Sequence, residues 1–143
     1  MPLQNDPTIP DEAILYRVLD DNPDWRTNKG GRYRPSKLAF YEARGEVSYF
    51  LNSPDMLPEL QRLFPGREIA SVPASVLRSA EVGFVIQRRP DEVPPDFRCD
   101  PASHVVAGPP VEMTRLEFER RARAIAKHQF TTIIRSPSAP AGK

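Results

Sequence analysis

The sequence predicts an α+β fold, with a mixed or antiparallel sheet of about five strands and two or three helices. Short runs of β-branched and aromatic residues alternate along the chain with segments whose apolar residues recur at helical spacing. A chain of 143 residues fits one domain that buries roughly two-thirds of its unfolded surface. We expect residues 11–135 to form this domain, between a flexible arm (1–10) and a disordered tail (136–143).

Proline positions support these limits. The 17 prolines cluster at residues 1–10, 90–110 and 137–140. Because proline has no amide hydrogen for a sheet ladder, we expect these stretches to be arm, loop and tail rather than sheet interior.

The first predicted strand, residues 14–19, is apolar on both faces, so we expect it to be buried on both sides. Arg17 is its one charged residue. A lone arginine among apolar neighbours is costly unless it is paired or faces a cleft. Two interpretations stay open for Arg17: an anion ligand at the base of a cleft, or a member of a half-buried ion pair.

The other elements follow from apolar periodicity and turn residues. Residues 20–31 contain Asn-Pro and Gly-Gly and are predicted to be a loop, and residues 89–103 form a long Pro-rich loop of a kind that is often functional. Thr114 and Glu117 make a capping box, which begins a helix that ends near Lys127. The remaining predictions are strand material at Leu38, Phe40 and 46–51, a helix from Ser53-Pro54 to Leu63 or Phe64, strands at 67–74, 81–88, 104–108 and 130–134, and a short helix at 74–80.

Composition is that of a soluble globular protein, with 39% apolar and 27% charged residues. The formal net charge of +1 gives no general reason to expect a nucleic-acid or membrane partner. No window approaches the ~20 apolar residues of a membrane span. The N-terminus lacks the basic start and apolar core of a signal peptide, so we expect a cytoplasmic protein.

The sequence contains no motif of a nucleotide-binding, zinc-protease or serine-hydrolase site. The single Cys99 excludes a disulfide within the chain and a zinc cage built on cysteines, and we expect it to be a surface loop thiol. His104 and His128 are the only histidines and lie on separate elements. The residues themselves therefore predict no metal and no cofactor.

The strongest local charge lies in residues 26–37, which we call the basic loop, where five basic residues stand with no acidic residue. Arg32, Arg34 and Ser36 are placed to bind a phosphate, and the Gly30-Gly31 pair would let backbone amides approach it. The alternative is a solvated charged loop. The five basic residues are Arg26, Lys29, Arg32, Arg34 and Lys37.

Aromatic residues flank the basic loop, with Tyr33 inside it and Trp25 and Tyr41 at its ends. They would either stack on a nucleotide base or pack within the domain. The helix 114–127 carries further basic residues, which favour nucleic-acid binding or, if paired with acids at i,i+4, a solvated face. The pairs expected there are Glu117–Arg121 and Glu119–Arg123.

Ser48 and His104 complete the candidate site residues. Ser48 lies within a predicted strand, where it either lines a pocket or bonds to the backbone. His104 precedes a strand and is either an acid–base group or a hydrogen-bonded structural histidine. We expect Arg17 and the basic loop to border a common hollow.

The order of these residues resembles a family of small bacterial proteins of unknown function. The shared pattern joins an arginine on the first strand to an Arg-Pro-Ser segment, a Ser-containing strand and a late His-containing strand that ends in Gly. It covers residues 14–127 and implies a compact bacterial domain without a known activity. The residues that carry it are Arg17, Gly30-Gly31, Arg34-Pro35-Ser36 with Phe40, Ser48, and Pro101, His104, Val106 and Gly108.

A weaker resemblance is to ADP-ribosyltransferase-like and RES-type NAD-degrading domains. Arg17, Gly31-Arg32 and Ser48 follow the order of their arginine strand, basic Gly-rich stretch and serine strand. The resemblance implies an enzyme that processes NAD or another nucleotide, with NAD as the molecule it binds. The catalytic glutamate that such enzymes carry on a late strand is missing from this pattern, since Glu112, Glu117 and Glu119 lie in a Pro-rich turn or in the capped helix.

Three functions follow, and whether the protein is an enzyme stays open between them. The favoured one is a binding domain that recognises a protein partner or an anionic small molecule through the basic loop and the neighbouring 89–103 loop. The second is an NAD- or nucleotide-processing enzyme that uses Arg17, Ser48 and His104. The third is nucleic-acid binding through the basic helix.

Overall fold

A six-stranded antiparallel sheet forms the centre of the computed structural model, which describes residues 2–134. The strand order is β6-β7-β4-β1-β5-β8, and a separate hairpin pairs β2 with β3. This confirms the predicted α+β class, although the main sheet has six strands rather than about five. The strands are β1 (Ile14–Val18), β2 (Arg26–Lys29), β3 (Arg32–Pro35), β4 (Val47–Leu51), β5 (Ile69–Pro73), β6 (Val85–Arg88), β7 (His104–Gly108) and β8 (Thr132–Ile134).

The described residues include three α-helices, and two of them cover opposite faces of the main sheet. Side chains alternate between the faces of a strand, so β1 sends Leu15 into one apolar cluster and Tyr16 into the other. This confirms that the first strand is buried on both sides. The helices are α1 (Met56–Leu63), beside Tyr16; α2 (Ala74–Leu77); and α3 (Arg115–Lys127), beside Leu15.

The N-terminal segment, for which the sequence predicts a flexible arm, lies against β6. The Asp6 amide donates to the Ile86 carbonyl at 2.8 Å, and the Asp6 carboxylate accepts from Arg88 at 2.9 Å. Ile9 is 1% exposed and belongs to the main apolar cluster. The predicted tail, 136–143, lies outside the described residues.

The hairpin of β2 and β3 replaces part of the predicted loop 20–31. Lys29 pairs with Arg32 across a two-residue turn, in which Gly30 and Gly31 have φ of 60° and 78°. Positive φ at both central positions is the geometry of a type I′ turn, which only glycine and a few polar residues adopt readily. The loop prediction was wrong for β2 because its exposed polar residues lack the apolar alternation that marks a half-buried strand.

Other boundaries also differ from the sequence prediction: β6 begins at Val85 rather than at residue 81, and α2 ends at Leu77 rather than at residue 80. Leu38 and Phe40 belong to a short 3-10 helix, Lys37–Phe40, rather than to strand material, because Ser36 caps it by accepting from the Leu38 amide at 3.3 Å. The helix α1 begins at Met56, later than Ser53-Pro54. Pro58 is tolerated there because the first amides of a helix have no intrahelical acceptor.

Of the two hydrogen bonds in the predicted capping box of α3, the one accepted by the Thr114 hydroxyl is confirmed. Thr114 Oγ1 accepts from the Glu117 amide at 3.2 Å. The Glu117 carboxylate is instead held by Arg120 and Arg121. No helix between residues 2 and 134 has both the length and the apolar character needed to cross a membrane.

Candidate functional site

Three basic residues of the β2–β3 hairpin, Lys29, Arg32 and Arg34, face α3 across a cleft of about 590 Å³, which we call the basic cleft. Six of its ten lining residues are cationic and none is acidic. The second wall is α3, so the 89–103 loop, expected to be the neighbour of the basic loop, takes no part in it. The lining residues are Thr27, Lys29, Arg32, Arg34, Pro35, Ser36, Lys37, Arg123, Ala126 and Lys127.

Arg34 joins the two walls of the basic cleft. Its Nη2 donates to the carbonyl oxygens of Ala126 at 3.0 Å, His128 at 2.6 Å and Thr131 at 3.4 Å. The last carbonyls of a helix have no intrahelical donor and carry partial negative charge, so a guanidinium is a favourable partner there. Arg34 therefore has a structural role in addition to lining the cleft.

Ser36 and Tyr33, also predicted to bind ligand, have partners within the fold. The Ser36 hydroxyl donates to the Asp24 carbonyl at 2.5 Å, which ties the end of β3 to the segment before β2. The Tyr33 hydroxyl donates to the Glu68 carboxylate at 2.7 Å, and Tyr33 does not line the basic cleft. We therefore assign both side chains to holding the hairpin in place.

Four of the cleft's cations remain exposed, with no hydrogen bond or ion pair to any residue between 2 and 134. Two lie on the hairpin and two lie one turn apart on α3. The other basic side chains of α3 are paired with its acids: Arg115 with Glu119, and Arg120 and Arg121 with Glu117. The four unpaired cations are Lys29, Arg32, Arg123 and Lys127.

The pairing of Glu119 explains why Arg123 is free. The sequence predicts an ion pair between Glu119 and Arg123, and this prediction is wrong. The Glu119 carboxylate accepts from Lys37 at 3.0 Å and from Arg115 at 2.6 Å. Hydrogen bonds from Lys37 and then Arg115 lower the pKa of Glu119. The expected pair Glu117–Arg121 is confirmed at 2.8 Å.

Arg17, Ser48 and His104 lie together in a second cleft, of about 270 Å³, which we call the sheet cleft. It lies over β1, β4 and β7, below the end of α1 and part of the 89–103 loop. None of the residues that line the basic cleft lines the sheet cleft. The expectation that Arg17 and the basic loop border a common hollow is therefore wrong. The lining residues are Arg17, Val18, Ser48, Phe50, Phe64, Arg67, Glu92, Pro94 and His104.

The guanidinium of Arg17 fills a gap between β1 and β4. These strands pair only at Leu15 and Tyr16, and beyond them Arg17 donates to the Ser48 carbonyl at 3.4 Å and to the Ala39 carbonyl at 3.0 Å. A third bond goes to Glu42 at 2.8 Å. The side chain is 11% exposed and lies 5.0 Å from the centre of the Trp25 ring. Of the two interpretations, the half-buried ion pair describes this geometry.

His104 is 3% exposed and has one ring nitrogen left for a ligand. Its Nδ1 lies 2.8 Å from the Arg89 carbonyl oxygen, which can only accept, so Nδ1 carries the hydrogen. The other ring nitrogen, Nε2, has no partner in the described part of the chain. The imidazole also packs at 5.1 Å from the Phe50 ring. Its orientation is thus fixed from two sides.

Two residues of the sheet cleft were not among the candidate site residues, whereas the two α3 residues of the basic cleft belong to the helix whose basic residues had suggested nucleic-acid binding. Glu92 and Arg67 line the sheet cleft, and Arg123 and Lys127 line the basic cleft. Arg123 and Lys127 carry a sequence signal, since their i,i+4 spacing places them on one side of a helix. Glu92 carries none, because its position follows from the path of a long loop.

The described residues contain no group of three or more His, Cys, Asp or Glu side chains that could hold a metal ion. Cys99 is half-buried rather than fully on the surface, and this burial raises the pKa of its thiol.

Comparison of the chain with protein-family models, with curated proteins and with solved structures found no match. The two family resemblances stay predictions from short motifs. The arguments for function therefore come from the geometry and charge of the two clefts.

Proposed function

We propose that this protein is a binding module that holds an anionic partner in the basic cleft. The observation that carries the proposal is the lining of that cleft, with six cationic residues and no acidic one in a chain whose net charge is +1. Basic residues spread evenly over a surface would be paired or solvated. Here they converge on one concavity from two separate elements.

Physical chemistry supports an anion as the occupant. Like charges lining a concave wall raise the local potential and the local concentration of ions of opposite sign. Arg32 and Arg123 offer planar guanidinium groups, which bind carboxylate or phosphate through two parallel hydrogen bonds. The cleft volume, about 590 Å³, is within the usual range of ligand sites, roughly 300–1,000 Å³. The partner is thus an anionic small molecule or an acidic segment of a larger molecule.

Charge reversal at both walls tests the proposal. In the variant Arg32→Glu with Lys127→Glu, binding of inorganic polyphosphate and of poly-L-glutamate, measured by titration calorimetry, should fall at least about tenfold below wild type. Both side chains are exposed and unpaired in the described structure, so the melting temperature should change little.

The matched control reverses two exposed arginines outside the basic cleft, Arg44→Glu with Arg98→Glu. It makes the same change in net charge and should bind both polyanions as wild type does. Equal losses in the two double variants would show that only net charge matters. That result, or wild-type protein that binds neither polyanion, would contradict the proposal.

We propose nucleotide processing in the sheet cleft as a second candidate function. Its support is that Arg17, Ser48 and His104 line one cleft, together with a glutamate, Glu92, which the sequence pattern lacked. In this proposal Arg17 and Arg67 hold a phosphate or ribose of NAD, Ser48 shapes the pocket, and Glu92 or His104 stabilises developing charge. The internal bonds of Arg17 weigh against it.

Release of nicotinamide from NAD, followed by chromatography, tests the second candidate. We expect Glu92→Gln and Ser48→Ala to lower any such release, and Glu112→Gln, outside the sheet cleft, to leave it unchanged. No release above the rate without protein would remove the candidate.

A further inference from the structure

We infer that the partner of the basic cleft is a single strand of nucleic acid, whose phosphates lie between the hairpin and α3 and one of whose bases stacks on Phe130. The inference rests on the proposed function and names the ligand class for the same cleft. Its additional support comes from how the unpaired cations are spaced and from an exposed aromatic ring beside them.

The unpaired cations form two pairs, one on the hairpin and one on α3, and do not surround a single point. Lys29 and Arg32 are cross-strand partners next to the hairpin turn. Arg123 and Lys127 stand four residues apart on α3, a rise of roughly 6 Å along the helix axis. A lone phosphate needs donors that converge on one point. Two facing pairs fit a chain of phosphates that runs along the cleft and contacts both walls.

Two polar features within the cleft suit the same ligand. The Thr27 side chain lines the cleft and has no hydrogen bond within the described residues, so its hydroxyl is free to donate to a phosphate oxygen. Pro35 and Ala126 give the cleft an apolar part, against which a sugar ring can pack. Arg34 and Lys37 add positive charge while their internal bonds hold the walls in place.

Phe130 provides the stacking surface. Its side chain is 59% exposed, and it is one of three large apolar residues in residues 2–134 that are exposed to solvent. It lies between His128 and Thr131, whose carbonyls both accept from Arg34, so its backbone is close to that lining residue of the basic cleft. The His128 ring packs 5.4 Å from the Phe130 ring, and the Phe130 amide donates to His128 Nδ1 at 3.2 Å. The Phe130 ring is therefore held by His128 on one side, and its other side is open for a base to stack on it.

The shape of the charged surface favours one strand over a duplex. The unpaired cations line a concave cleft between two elements, and the remaining basic residues of α3 form ion pairs with Glu117 and Glu119. A helix that enters a duplex groove presents its cations on a protruding face instead. A chain of carboxylates would satisfy the cations too, but it would leave Phe130 without a stacking partner.

Fluorescence anisotropy with labelled single strands of about ten nucleotides, oligo(dT) and oligo(U), tests the inference. Wild-type protein should bind both strands more tightly than it binds a blunt duplex, inorganic polyphosphate or poly-L-glutamate, and affinity should fall steeply as salt rises. Phe130→Ala should weaken oligonucleotide binding about tenfold and leave polyphosphate binding unchanged. Phe130→Trp should retain it.

Leu116→Ala is the matched control, because Leu116 is an even more exposed apolar residue (81%), on α3, that does not line the basic cleft. Polyphosphate or poly-L-glutamate that binds as tightly as the oligonucleotides would overturn the inference and leave the proposed function standing. Tighter binding of the duplex, or equal effects of Phe130→Ala on oligonucleotide and polyphosphate, would overturn it as well. Binding of none of these polyanions would overturn both.

Discussion

Arginines two positions apart on β3 differ sharply in what they contact. Arg32 is exposed and free within the described residues, whereas Arg34 is half-buried and donates to three carbonyl oxygens at the end of α3 and in the segment that follows it. Residue type and spacing alone do not separate them. The contrast comes from the hairpin, which lays one side chain across to the helix and leaves the other at its tip.

This difference predicts opposite outcomes for two alanine substitutions. Arg34→Ala should lower the free energy of unfolding by about 2 kcal/mol, because it removes a charged donor from three partly buried carbonyl groups. Arg32→Ala should change that free energy by less than about 0.5 kcal/mol and weaken polyanion binding instead. Urea unfolding measures both. Equal stability of the two variants would show that the bonds of Arg34 contribute nothing to the fold.

At the scale of elements, α3 combines the best-predicted and the least-predicted features of the molecule. Its limits follow from the Thr114 cap and its apolar positions, and both were visible in the sequence. Its role as a wall of the basic cleft was not, because Glu119 was expected to neutralise Arg123. The carboxylate turns instead to Lys37, a residue distant in sequence, and no local spacing rule anticipates a partner on another element.

The first turns of α3 should respond to acid through Glu117. Hydrogen bonds from Arg120 and then Arg121 lower the pKa of Glu117 from 4.5 to about 2 in the folded protein. A carboxyl whose folded pKa is depressed contributes stability that is fully present above its unfolded pKa and lost as pH falls through the folded value. Stability should therefore decline between about pH 4.5 and pH 2 in part through this residue.

Thermal unfolding across that pH range, for wild type and Glu117→Gln, measures the effect. The variant should be less stable than wild type near pH 7, and the gap should narrow toward pH 2. A gap that stays constant with pH would exclude Glu117 as a contributor to the acid response.

At the scale of the whole molecule, the sequence predicted the fold class and most strands, because buried β-branched and aromatic runs mark β1, β4, β6 and β7 directly. It missed the hairpin, whose strands are polar. Four of the six cations of the basic cleft were found in the basic loop, but nothing in the sequence joined them to Arg123 and Lys127 on α3. It placed Arg17, Ser48 and His104 as candidates. Only the sheet's register brings them to one cleft, and register depends on pairings that no single segment encodes.

The N-terminal segment shows the same limit, since composition predicts an arm while two of its residues, Leu3 and Ile9, are buried. Ile9→Ala should lower the free energy of unfolding by about 3 kcal/mol, because it deletes a fully buried side chain from the main apolar cluster. Gln4→Ala, on the exposed part of the same segment, should have little effect. Equal free energies of unfolding of the two variants in a urea titration would show that packing of the N-terminal segment does not stabilise the fold.

The tie between Arg34 and the end of α3 has a kinetic consequence. Bonds of the chain itself join the two walls, so little further chain order has to be acquired on docking. Association would then be limited by diffusion in the protein's electric field. Added salt would lower the association rate constant far more than it would raise the dissociation rate constant.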